Sequence, residues 1–143
     1  MPSPAKVSPQ SSNKKLILCI DHDKQGLHAR KFVLEAAGYD VITASSGRIG
    51  LRILERHPVQ LVILDYRMSD MNSRAVARKI KRMHPHVTIL MLSGQIDVPE
   101  SVSSAVDAFV SKGEAPTVLL QHLAVLSDGG TGKRPPGRVA GVL

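Results

Sequence analysis

Between residues 15 and 126 the chain alternates continuous apolar runs with stretches whose apolar residues recur every three or four positions. "KLILCI", "VQLVILD" and "VTILMLS" are almost unbroken aliphatic runs, the pattern of strands buried on both faces of a parallel sheet. "YDVITA" and "DAFVSK" are shorter runs of the same kind. A helical period follows each run. Asp23 predicts the N-cap of a helix reaching about Ala37, with Leu27, Leu34 and Ala37 on one face and Gly38 as its stop. "SGRIGLRILERH" predicts a second helix with Leu51 and Leu54 inward and Pro58 beyond its end. A third runs from about Ser73 to Met83 with Val76, Ile80 and Met83 in register. A short helix is expected over Pro99 to Ala105. The closing helix falls on "PTVLLQHLAVL", with Pro116 suited to its first turn.

Five β–α units with short connections imply an α/β fold, a five-stranded parallel sheet with helices on both faces. Right-handed crossovers make it a doubly wound, three-layer sandwich. Ligands of such sheets bind outside the carboxyl ends of the strands.

Composition sets limits on this picture. A chain of 143 residues, 43% hydrophobic, suffices for one domain with a true core, expected over residues 14–126. Residues 1–13, rich in Ser and Pro, are expected to be a disordered tail, and residues 127–143 a flexible basic Gly/Pro-rich tail. No apolar run is long enough to span a membrane, and the N-terminus lacks the apolar core of a secretory signal. The single cysteine, Cys19, reads as a small buried hydrophobe, in keeping with a cytoplasmic location. Net charge is +7 and the pI near 9.9, which raises the question of nucleic acid. Basic residues of the body collect in "SRAVARKIKRMHPH", without aromatic interleaving or a DNA-reading motif. They read as a solvated helix face, and direct nucleic-acid binding is not expected.

Chemistry gathers at the strand ends. The first strand ends in Asp21-His22-Asp23, the third in Asp65, the fourth in Ser93 and the fifth in Lys112. Acids, a hydroxyl and a lysine thus converge on one sheet edge, where like charges are costly without a task. A carboxylate there can attack phosphorus to form an acyl phosphate. Neighbouring carboxylates would hold Mg²⁺, a hard ion that prefers oxygen, while the lysine and hydroxyl meet phosphoryl oxygens. Asp65, Asp21, Lys112 and Ser93 fill these roles. His28, His57, His84, His86 and His122 show no ligand spacing and read as surface.

The segments "LILCIDHD", "LVILDYRM", "ILMLSG" and "DAFVSKG", in this order, resemble the receiver domain of bacterial two-component response regulators. The resemblance implies a flavodoxin-like sandwich and phosphotransfer to Asp65 from a histidine kinase or phosphotransfer protein. It implies a metal site of Asp21, Asp65 and the main-chain carbonyl of Arg67. Ser93 and Lys112 would bind the phosphoryl group, and Ser93 and Phe109 would form the switch. The family commonly has a second acid where this chain has His22, so either His22 or Asp23 completes the metal set. Mg²⁺ binding is then expected to be weak, with Mn²⁺ an option, because imidazole suits softer ions. Ser69 stands where a proline is usual, and Gly113 replaces the proline after the lysine. Ser93 and Lys112 are closer in sequence than the family pattern by about one helical turn, so the fourth helix is expected to be shortened.

The expectation is a single-domain response regulator that signals by protein contact to an unknown output protein. No enzymatic turnover is expected beyond self-phosphotransfer and autodephosphorylation. Two alternatives stand beside it: a pseudo-receiver that binds partners without phosphate, and a haloacid-dehalogenase-type phosphohydrolase using Asp21 and Asp23.

Overall fold

Every apolar run of the sequence becomes a strand and every helical period a helix in the computed structural model, which describes residues 14–68, 70–94 and 98–127. The expected tail over 1–13, nearly all of the tail over 127–143, and Ser69 lie outside the described residues. The elements are β1 (Leu16–Ile20), α1 (Lys24–Ala36), β2 (Asp40–Ala44), α2 (Gly47–Arg56), β3 (Leu61–Asp65), α3 (Ser73–Met83), β4 (Thr88–Ser93), α4 (Glu100–Ser103), β5 (Ala108–Ser111) and α5 (Pro116–Ser127).

The five strands form one parallel sheet in the order β2-β1-β3-β4-β5, the flavodoxin-like winding. Because side chains alternate across a strand, each central strand feeds two cores. On one face Leu18, Ile20, Leu64 and Met91 pack against Leu54, Val76 and Ile80. On the other, Ile17, Cys19, Ile63 and Leu90 pack against Leu27, Leu34 and Leu123. All five residues of β3 are buried, which is why its sequence reads as an uninterrupted apolar run up to Asp65. Burial pushes the Cys19 thiol up to about 12, so the lone cysteine is an inert core residue.

Local chemistry sets the helix ends. The side chains of Asp23, Ser46 and Asn72 accept hydrogen bonds from first-turn N–H groups of α1, α2 and α3. Gly38, at φ +101°, adopts the left-handed conformation that stops α1. The fourth helix is one turn, Glu100–Ser103, as its short interval implies. No helix among the described residues is long and apolar enough to cross a membrane.

Several expectations about side chains need correction. Met83 is 49% exposed and Ala37, the C-cap of α1, is also exposed. Periodicity reports the face of a helix, not how far the neighbouring sheet extends beneath its last turn. His84 and His122 are partly buried, and burial lowers the His122 pKa below its ordinary value despite the opposing charge of Glu114. On α2, Leu51 is only half-buried, while Gly47, Gly50 and Leu54 form the inward face. Gly50 permits the close approach of α2 to β1, since a Cβ at this position would overlap the end of the Ile20 side chain.

Gly50→Ala is therefore expected to destabilise the fold by about 1–2 kcal/mol, overpacking outweighing the gain in helix propensity. In an Ile20→Val background, which lacks the closest obstructing atom Cδ1, the same Gly50→Ala change should cost less than in the parent, as read by urea unfolding of the double-mutant cycle.

Candidate functional site

Parallel pairing places every strand C-terminus at the same edge. β1 ends at Ile20, and the Asp21 N–H donates to the Ala44 carbonyl, so Asp21 continues the line of the sheet with no solvent exposure. β3 ends in Asp65, 2% exposed. Beyond β5, the Lys112 N–H donates to the Ser93 carbonyl, fixing the lysine backbone beside the end of β4.

Lys112 joins the two acids. Its Nζ lies 2.8 Å from Asp65 Oδ1 and 3.1 Å from Asp21 Oδ2. Arg30 of α1 adds a contact at 3.3 Å to Asp21 Oδ2, and the Asp23 N–H donates to Asp21 Oδ1 at 2.9 Å. The second oxygen of Asp65, Oδ2, is shut from solvent and has no hydrogen-bond partner among the described residues. His22 lies at the exposed mouth. Its Nδ1 is 2.9 Å from the Arg67 carbonyl, 3.6 Å from Asp65 Oδ2 and 3.9 Å from Asp21 Oδ1. A carbonyl oxygen only accepts, so Nδ1 carries the hydrogen in this contact.

These contacts separate two like groups. Burial alone would raise the Asp21 pKa, but the Asp23 N–H, Lys112 and Arg30 more than offset it, and the carboxyl sits below its ordinary value. At Asp65 burial dominates; Lys112 counteracts it, the Asp21 charge reinforces it, and the carboxyl sits above its ordinary value. Partial burial works against the Lys112 ammonium, yet its hydrogen bonds to Asp65 and Asp21 hold its pKa above the ordinary lysine value.

The fold thus brings together Asp21, His22, Asp65, Lys112 and the carbonyl of Arg67. Asp23 stays apart, with its carboxylate accepting the Gly26 N–H as the α1 cap. Ser93 is buried one residue beyond Leu92, the register partner of Asp65. Phe109 is half-buried on β5 opposite Met91. Two contributors carry no sequence signal, because each acts across a loop or layer. Arg30 reaches Asp21 only when α1 packs on the sheet. Asp70, beyond β3, accepts the N–H groups of Gly47 and Arg48 through its two oxygens at 3.0 Å each, tying the loop that holds Arg67 to the first turn of α2.

The donor set suits a hard cation. Ligand atoms of Asp21, His22 and Asp65 lie within 4.8 Å of one another, and the unpartnered Asp65 Oδ2 is an oxygen that a cation would satisfy. With Nδ1 donating to Arg67, the imidazole covers that carbonyl instead of offering a lone pair beside it. Asp21, Asp65 and the Arg67 carbonyl offer oxygen atoms of the kind that Mg²⁺ prefers.

The model of the response regulator receiver domain matches residues 17–124. The chain belongs to the response regulator receiver family. Receivers of two-component systems typically carry a phosphorylated aspartate and bind Mg²⁺. Among curated proteins, this receiver is 34% identical over 88 residues to the transcriptional regulatory protein GlrR of Escherichia coli, covering 62% of the chain and 20% of GlrR. It is 32% identical over 99 residues to KdpE of Mycobacterium tuberculosis, covering 68% of the chain and 44% of KdpE. The chain thus spans less than half of these relatives' length. Among solved structures, a CheY-like receiver domain of Methanospirillum hungatei superposes with a TM-score of 0.76 at 27% identity, covering 81% of this chain and 95% of that one. The response regulator TrrA of Thermotoga maritima, in complex with Mg²⁺ and BeF, gives 0.73 at 27% identity, covering 78% and 98%.

The Asp70 tether generates a pH-dependent expectation. Desolvation alone would raise the Asp70 pKa, but the N–H groups of Gly47 and Arg48, its own N–H and the Arg48 charge together more than offset it and hold the carboxyl below the ordinary value. Its stabilisation is therefore complete above the unfolded carboxylate pKa, near 4, and lost as pH falls through the lower folded value. Asp70→Ala should cost roughly 1 kcal/mol at pH 7, with the difference from the parent shrinking toward pH 3, as read by chemical denaturation at both pH values.

Proposed function

We propose that Asp65 accepts a phosphoryl group from the phosphohistidine of a histidine kinase or phosphotransfer protein. The observation that carries this reading is Asp65 itself, buried at the end of β3, with one oxygen held by Lys112 and the other unpartnered. An Asp65 carboxylate oxygen attacks phosphorus, the O–P bond forms as the donor's N–P bond breaks, and the released imidazole nitrogen takes up a proton. Lys112 shifts from bridging two carboxylates to pairing with a phosphoryl oxygen. The Ser93 hydroxyl donates to another oxygen after moving toward it, and Phe109 turns inward behind it. A bound Mg²⁺ would neutralise charge on the transferring group, held by Asp21, Asp65 and the Arg67 carbonyl. His22 must leave that carbonyl first, which supports weaker metal binding than an acid at the same position would give.

Output passes by contact with another protein, and exchange with an ATP-supplied kinase places the chain in the cytoplasm. The His22–Arg67 contact also favours a second reading, a pseudo-receiver whose partner binding ignores phosphate.

Intact-mass measurement after incubation with acetyl phosphate distinguishes these readings. A phosphoryl adduct is expected with Mg²⁺ or Mn²⁺ and should vanish in Asp65→Asn. No adduct with either metal, while a known receiver labels alongside, supports the pseudo-receiver instead. His22→Asp should tighten Mg²⁺ binding roughly tenfold or more in calorimetric titration, about 1.4 kcal/mol.

A further inference from the structure

α2 and α3 lie side by side on one face of the sheet, and each presents a row of arginines at four-residue spacing. Arg48, Arg52 and Arg56 follow one another on α2, and Arg74, Arg78 and Arg82 on α3. Five of the six are exposed and Arg74 is half-buried. The buried faces of the helices, Gly47, Gly50 and Leu54 on α2 and Val76, Ala77 and Ile80 on α3, lie opposite these rows, so the rows point to solvent except at Arg74, whose Nε is buried. Among the described residues no carboxylate lies within ion-pair distance of any of the six. Glu55 is the only acid on either helix; Asp70 caps α2 and its charge is felt by Arg48, and Asp107 pairs with Lys81 at 2.6 Å.

This arrangement works against the fold. Like charges at i,i+4 repel, and Arg48 and Arg74 stand in first turns, where the helix dipole disfavours cations. On the other face, α1 pairs Lys31 with Glu35 at 2.8 Å, the compensated form of the same spacing. A surface serving solubility alone would intersperse the two signs.

Against the expectation from the sequence that these residues form only a solvated face, the geometry points to an electrostatic docking face on α2 and α3 for the phosphate backbone of a nucleic-acid duplex, without base reading. Arginine matches phosphate bidentately. A protein interface is usually centred on a cluster of aromatic or apolar anchors, whereas these helices carry no Phe or Tyr and expose only single apolar side chains, Ile49 and Met83, beside six arginines. The same lack disfavours stacking on single strands. The face does not include Asp65 or Lys112 and does not depend on phosphorylation.

Binding of the full chain to a fluorescent DNA duplex of about 20 random base pairs, across a salt series, tests this. R52Q/R78Q/R82Q is compared with K133Q/R134Q/R138Q, which removes equal charge from the C-terminal segment, and thermal melts check that both are folded. The face variant should weaken binding roughly tenfold or more near 0.1 M salt and lower the slope of log K against log salt by about 2.7, with a much smaller change in the control. Equal loss in both variants would mean diffuse charge and overturn the proposal. So would no binding by the parent, or tighter binding to polyglutamate than to the duplex, which would indicate an acidic protein partner.

Discussion

The site depends on holding two carboxylates, Asp21 and Asp65, at neighbouring strand ends with almost no exposure. Charges within 4.8 Å repel by something like 3 kcal/mol at an effective dielectric near 20. Burial adds its own penalty. Lys112 makes the arrangement tenable because one ammonium meets an oxygen of each acid, at 2.8 and 3.1 Å. The sheet must therefore deliver the ends of β1, β3 and β5 to one point, and the β2-β1-β3-β4-β5 order does so with parallel strands alone.

The acids are not equivalent in this frame. Asp21 collects Lys112, Arg30 and a backbone N–H, and its charge is secured. Asp65 has Lys112 on one oxygen, while the other has no hydrogen-bond partner among the described residues and only the His22 ring at 3.6 Å. The difference arises from position, since Asp21 lies under α1 and ahead of a tight turn, whereas Asp65 opens into the loop toward Arg67. That loop is held at two points, by His22 on the Arg67 carbonyl and by Asp70 on the α2 first turn.

The ladder of elements was legible because parallel strands buried on both faces leave an unmistakable apolar run, and a cap such as Asp23 marks where a helix begins. The strand-end residues were legible for the same reason: a polar residue that terminates such a run must sit at the sheet edge. Arg30 and Asp70 were not, since their partners lie in other layers or loops. The exposure of Met83 and the partial burial of His122 escaped periodicity, which carries no information on how far a neighbouring element reaches.

By itself the sequence determined the fold class, the short fourth helix and the convergence of Asp21, Asp65, Ser93 and Lys112, since alternation and strand ends are local properties of the chain. Tertiary structure decided which neighbour of Asp21 enters the cluster. His22 faces Arg67 and Asp23 turns to cap α1, a choice made by the turn and the helix that follows it. It also turned scattered arginines into two adjacent rows, because only the packing of α2 beside α3 puts residues 48–56 and 74–82 on one surface.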